Sequence, residues 1–283
     1  MNPVQASAPD STSVRSTLKS TLTQLGLLDW VRDSRDTLKA LAWIRHNRRF
    51  LRRGGSDGLP IPPTQMLTLT TASASIEWFF QSGRAAADSI RELLARNDTP
   101  IDQIANTLDF GCGCGRVFRH WANLPNSIHG CDYNPNLVNW CRIHLPFGHF
   151  ATNNLAPPLP HASASFDLIY ALSVFTHLPP PLQNQWSKEM WRVLRPTGHL
   201  IISTHGEAYL DALTAIERDR FRSGELVVRH DTEAGSNHCG VFCSEDSIRR
   251  QFAPEFVIRD FVPAGARGNP PQDLVLLQPR ASS

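Results

Sequence analysis

Asp109 stands two residues before three evenly spaced glycines, in Leu108-Asp-Phe-Gly-Cys-Gly-Cys-Gly115. Gly111, Gly113 and Gly115 let a backbone turn sharply and let a ligand lie against it. A dinucleotide fingerprint, G-x-G-x-x-G, would place its third glycine at 116, where this chain has Arg116. An acid this close to a pyrophosphate would repel it, whereas an acid beside a cationic amino-acid group attracts it. The spacing therefore disfavours a hydride-transferring dinucleotide enzyme and points to a ligand with a positive end. Asp132 closes the next apolar run, Ile128-His-Gly-Cys131. A carboxylate there accepts two hydroxyl donors well. His177 and His205 each follow a later apolar run and are the candidate general bases, since an imidazole titrates nearest neutral pH. His177 also has a bland reading, a side chain that bonds backbone. His230 and His238 lie in a stretch that either covers an acceptor or is plain surface loop.

These residues need a scaffold. Thr107–Phe110, Ile128–Cys131, His149–Thr152, Phe166–Ala171 and Leu200–Ser203 read as strands. The stretches 89–96, 116–124, 135–145 and 181–194 read as helices between them. Ala86, Ile90, Leu93 and Leu94 form one apolar face, and Trp186, Met190, Val193 and Leu194 another. Such alternation implies a parallel sheet with helices on both faces, with loops at the strands' carboxyl ends forming the site. Phe256–Val262 and Asp273–Leu277 are strands joined only by a Pro/Gly loop, so they pair antiparallel. The expected fold is α/β, a Rossmann-like three-layer sandwich. Its seven-stranded sheet is mostly parallel, with one antiparallel strand near the C-terminus.

The 283 residues carry a formal net charge of +2, unevenly spread. Residues 1–60 hold 10 Lys/Arg against 5 Asp/Glu, and the remainder nets −3. Residues 1–63 are expected to be a helical, basic N-terminal extension with a linker, and 64–283 the chemical domain. The Ser/Pro/Ala-rich 1–13 reads as disordered, 16–50 as helical, and Gly54 to Pro63 as a stiff linker. Five arginines from Arg45 to Arg53 lie beside Trp43, Ile44, Phe50 and Leu51. That segment, 38–53, either contacts an anionic membrane peripherally or packs its apolar stripe on the domain. No run of 18 apolar residues exists to span a bilayer, and the start lacks a secretory pattern. Six irregularly spaced cysteines fit free thiols in a cytoplasm rather than a disulfide scaffold. Neither Cys112 with Cys114 nor His238-Cys239 with Cys243 makes a recognisable zinc pattern, so no metal is expected. Asn269-Pro-Pro-Gln272 reads as a turn.

Asp-x-Gly-x-Gly-x-Gly after a strand, with an acid ending the next, resembles the class I methyltransferases that use S-adenosylmethionine (SAM). The likeness runs from about Ser75 to the C-terminus. It includes Ala171-Leu-Ser-Val-Phe-Thr-His-Leu178 and Arg192-Val-Leu-Arg-Pro-Thr-Gly-His-Leu200. The dense blocks are similar to the bacterial small-molecule, type 11/12-like members. The resemblance implies SAM as cofactor. Gly111, Cys112, Gly113 and Gly115 would lie under its methionine part and Asp109 would face its amino group. Asp132 would take the ribose, Tyr133 the adenine, and Asn153 or Asn154 the adenine amino group. Leu172 and Ser173 would sit near the methyl donor. Phe79, Phe80, Gly83 and Arg84 would belong to a covering segment, with Arg84 as a carboxylate partner. The function implied is methyl transfer to a small-molecule acceptor oxygen, in a sugar, glycan precursor or secondary metabolite. The rivals are a nucleic-acid methyltransferase, which the net −3 of residues 61–283 disfavours, and a non-catalytic SAM-fold module. The expected place is the cytoplasm, with peripheral contact at the inner membrane face as an added possibility.

Overall fold

The computed structural model describes residues 43–280. The expected disordered 1–13 and residues 16–42 of the expected 16–50 helix lie outside those residues. The chain divides into compact units Met1–Gly54 and Gly55–Ser283. In the first, residues 43–52 are helical, and Arg45, Arg48, Arg49, Arg52 and Arg53 are exposed. Among the described residues no helix is long and apolar enough to cross a membrane.

The second unit takes in the expected linker after Gly54. Arg119 is buried and holds Asp57 through Nε–Oδ2 at 2.5 Å and Nη2–Oδ1 at 2.9 Å. It also donates to the carbonyls of Leu59 and Pro60. Two helices follow, α1 (Thr64–Thr71) and α2 (Ile76–Ala95). Ser75 caps α2 by accepting from Trp78 N, and the expected face of Ala86, Ile90, Leu93 and Leu94 is fully buried. Phe79 and Phe80 pack on the Arg119 guanidinium, at 5.4 and 4.7 Å from the ring centroids. They support the core rather than cover a ligand.

The sheet contains β1 (Asn106–Phe110), β2 (Ser127–Asp132), β3 (His149–Thr152), β4 (Phe166–Ala171) and β5 (Leu194–Thr204), then β8 (Phe256–Val262) and β9 (Asp273–Pro279). Their order is β3-β2-β1-β4-β5-β9-β8. All pairs are parallel except those of β9, which runs antiparallel to both β5 and β8. The expected seven-stranded, mostly parallel sheet with one antiparallel strand is therefore what forms. Leu168–Ala171 and Leu200–Ile202 are fully buried, as strands covered on both faces must be. The strand order reverses between β1 and β4, which opens a crevice at their carboxyl ends.

Helices α3 (Pro135–His144) and α4 (Pro180–Val193) each begin with proline in the first turn. The helix expected over 116–124 does not form; a 3-10 turn, Phe118–Trp121, stands in its place. Its bonds run from His120 N to Val117 O and from Leu124 N to Trp121 O, which puts Phe118 and Trp121 into the core together. Pro125 disfavours helical backbone at Leu124, and β2 starts two residues later. Between β5 and α6 (Glu245–Phe252) lies an insertion that sequence periodicity did not show. It contains α5 (Ala215–Arg222) and the hairpin β6 (Val227–Arg229) with β7 (Gly240–Phe242). Leu213, Phe221, Val227 and Phe242 give it an apolar centre of its own.

Candidate active site

A cleft of about 730 Å³ opens at the carboxyl ends of β1, β2, β4 and β5. Its floor is the glycine loop. Gly111, Gly113 and Gly115 have φ of +80°, +55° and +81°, a region side chains avoid. A Cβ at Gly111 would lie 2.4 Å from Val174 Cγ2, and one at Gly115 2.5 Å from Leu145 Cδ1. The loop is pinned to β2, since Gly111 N and Cys112 N both donate to Cys131 O, at 2.8 and 3.0 Å. Asp132 completes the pin. Its Oδ2 accepts from Gly113 N at 3.0 Å and its Oδ1 from Asn134 N at 2.8 Å. Each oxygen keeps a further lone pair for a ligand.

Asp109 is buried at the centre. Trp121 Nε1 donates to the Tyr170 hydroxyl at 2.8 Å, and that hydroxyl bonds the Asp109 carboxyl. The other oxygen, Oδ2, is buried with no partner. Burial pushes the Asp109 pKa up to about 7, against the pull of Tyr170 and of the Arg116 charge. An ammonium placed at Oδ2 needs the carboxylate form, so binding such a ligand expels a proton at acid pH. Affinity for it is therefore expected to climb as pH rises from 5.5 to 7, by up to tenfold per unit. This window lies below the ionisation of a ligand's own α-amino group, about 7.7–8.0. Calorimetry across that range checks the slope, and Asp109→Asn should flatten it.

At the β2–β3 side the two asparagines separate. Asn153 is buried, donates Nδ2 to Asn154 O at 2.7 Å, and leaves Oδ1 buried without a partner. Asn154 is exposed. Both line the cleft with Tyr133, whose hydroxyl donates to Gly235 O at 3.0 Å. Gly235 N in turn donates to His177 O at 2.8 Å, and Asn237 Nδ2 to Leu69 O at 3.2 Å. Residues 235–238 are thus tied across the cleft as a cover.

Beyond β4, Leu172 and Ser173 line the opposite end. Ser173 holds a left-handed backbone (φ +55°), which costs of order 1–3 kcal/mol in a non-glycine residue. A relay fixes it there. Ser173 N donates to Ser203 Oγ at 2.7 Å, and the Ser203 and Ser173 hydroxyls donate to Gln272 Oε1 at 2.7 and 2.9 Å. The Gln272 oxygen faces the serines, so its Nε2 faces His205 Nε2, 3.3 Å away. His205 Nε2 is then an acceptor already in use, and burial beside His177 lowers the His205 pKa to about 4. His177 differs. Its Nδ1 lies 2.6 Å from Cys239 O, and a carbonyl only accepts, so Nδ1 carries the proton. Nε2 is left with its lone pair, and burial keeps the ring neutral by lowering its pKa.

Of the residues picked out in the sequence, Phe79, Phe80, Gly83, Arg84, Gly115 and His230 do not line the cleft. Arg84 is exposed on α2, and Gly115 instead lets Leu145 and Cys141 pack close behind the loop. The guanidinium that does line it is that of Arg116. Sequence reading also missed Gln272 and Asn269. The Asn269–Gln272 stretch is a turn, as expected, but both end side chains reach the site.

Residues 108–202 match the family model described as a methyltransferase domain. This stretch is similar to the class I SAM-dependent methyltransferases. A malonyl-[acyl-carrier protein] O-methyltransferase of Enterobacter lignolyticus is 30% identical over 121 residues, 43% of this chain and 45% of that protein. A probable SAM-dependent methyltransferase of Mycolicibacterium smegmatis is 34% identical over 99 residues, 35% of this chain and 37% of that one. The chain thus spans less than half the length of these curated relatives. A solved protein of Pyrococcus horikoshii shares the fold, with TM-score 0.54 and 17% identity over 75% of this chain and 96% of its own. SAM is the cofactor named for the Mycolicibacterium smegmatis relative, and the cleft of this chain fits it. The orphaned acceptors Asp109 Oδ2 and Asn153 Oδ1 suit an ammonium and an amino group, and the glycine floor admits no Cβ.

Proposed function

We propose that this chain transfers a methyl group from SAM to a hydroxyl oxygen of a small-molecule acceptor, with His177 as general base. The observation that carries the reading is the fixed tautomer of His177, protonated at Nδ1 by its 2.6 Å bond to Cys239 O and free to accept at Nε2. Asp132 would hold the ribose hydroxyls, Asp109 the amino group and Asn153 the adenine amino group. SAM, when bound, supplies an activated methyl on a good leaving group. The chain's own task is to align acceptor and donor, exclude water and take one proton. His177 does the last of these, at Nε2. A hydroxyl acceptor needs such a base, whereas an amine need only arrive neutral.

The acceptor end supports an uncharged substrate. His177, His205, Asn237, Gln272 and Ser173 line it, all neutral at pH 7 in the states argued above or by nature. The negative balance of residues 61–283 gives a nucleic acid little to hold. Relatives named O-methyltransferases support oxygen as the methylated atom. The six cysteines, all unpaired and buried, suit a reducing cytoplasm. Transfer of labelled methyl from SAM to a panel of hydroxylated sugars and phenols tests this reading. Label in an alkali-stable ether is the expected result. Label only in an alkali-labile ester, or only on amines, would overturn the hydroxyl assignment.

A further inference from the structure

The cleft contains a buried positive group that the catalytic scheme above leaves unused. Arg116 is buried, and its guanidinium spends one N–H on Gly268 O at 3.2 Å and one on Asn269 Oδ1 at 2.7 Å. Its charge is felt by Asp109, yet no ion pair joins the two. Buried charges are ordinarily paired, so a cation and an acid facing one cleft unpaired leave room for a ligand that carries both signs. Asn269 supplies the second sign of a built site. A guanidinium only donates, so Asn269 must turn Oδ1 toward Arg116 and Nδ2 away from it. That Nδ2 is buried and has no partner among the described residues. The loop bearing it is fixed in place, because Gly268 (φ +74°) approaches α2 so closely that a Cβ would fall 2.0 Å from Ser82 O.

Resting on the SAM reading, we propose that Asn269 Nδ2 and Arg116 bind the carboxylate of the cofactor's amino-acid end while Asp109 Oδ2 takes its ammonium. The turn between β8 and β9 is then a cofactor-binding element, recruited from more than 150 residues beyond the glycine loop. Arg84, the carboxylate partner expected from the sequence, plays no part in it.

The test is calorimetric, with two ligands that differ only in the carboxylate: S-adenosylhomocysteine and its decarboxylated analogue. The variant Asn269→Asp keeps an oxygen for Arg116, removes the free donor and sets a negative charge where the carboxylate would lie. It should weaken S-adenosylhomocysteine at least tenfold and leave the decarboxylated analogue unchanged or tighter. Arg116→Lys, which retains charge but loses the fork, should weaken only the carboxylated ligand as well. Equal losses for both ligands, or none for either, would overturn the carboxylate assignment while leaving the cofactor reading intact. If the unmodified protein binds neither ligand, the cofactor reading itself fails.

Discussion

Replacing His177 with glutamine is expected to lower the single-turnover methyl-transfer rate by about 10²–10⁴, the usual worth of a positioned general base. Cofactor affinity should stay within about twofold, because the bond from Gly235 N to this residue runs through its backbone carbonyl and is untouched by the change. Glutamine can still donate to Cys239 O, so the fold is kept while the titrating acceptor is lost. The pH profile separates this from a structural effect. The wild-type rate should fall on the acid side at a pKa below the ordinary histidine value, in the direction that burial pushes His177. His177→Gln should lose that limb. His205→Ala should cost less, since Gln272 already occupies His205 Nε2. A full rate in His177→Gln with an intact acid limb would remove His177 from the chemistry.

The change Asp132→Ala is expected to weaken S-adenosylhomocysteine by about 30- to 1000-fold, roughly 2–4 kcal/mol, which is about 1.5–3 kcal/mol for each of two charge-assisted bonds less partial compensation by water. Two effects combine there. The ribose hydroxyls lose their acceptor, and Gly113 N and Asn134 N lose the carboxylate that pins the loop. Asp132→Asn divides them, since its single carbonyl oxygen still accepts from one of those amides. It should recover part of the thermal stability but less of the affinity. Calorimetry on variants whose melting is cooperative makes the comparison. An unchanged affinity in Asp132→Ala would move the ribose elsewhere.

The parts of the site that were legible in the sequence are those written within a few residues of one another. Asp109 and its glycines, Asp132 after an apolar run, and the buried run Phe166–Ala171 announce themselves through local spacing. The antiparallel end of the sheet followed from the shortness of the 263–272 connection, too brief for a crossover. What stayed hidden depends on contacts between distant residues. The Trp121–Tyr170–Asp109 chain crosses 49 residues at its first bond and leaves no periodic trace. Asn269 and Gln272 looked like turn residues because they are, and only the return of β9 beside β5 brings their side chains to the cleft. The helix expected after the glycine loop failed because Pro125 and the early start of β2 leave too little chain for it. The insertion after β5 went unseen because its two strands are three residues each, below what alternation can signal. Choosing between Arg84 and Arg116 required knowing which face α2 turns to the cleft.

The central claim is that the cleft between β1 and β4 is a SAM site, and titrating the intact protein with S-adenosylhomocysteine at pH 7 tests it most directly. One-to-one binding, accompanied by a rise in melting temperature and sharply weakened in Asp132→Ala, is the predicted result. No heat of binding together with no thermal shift, or binding that Asp132→Ala leaves intact, would contradict it.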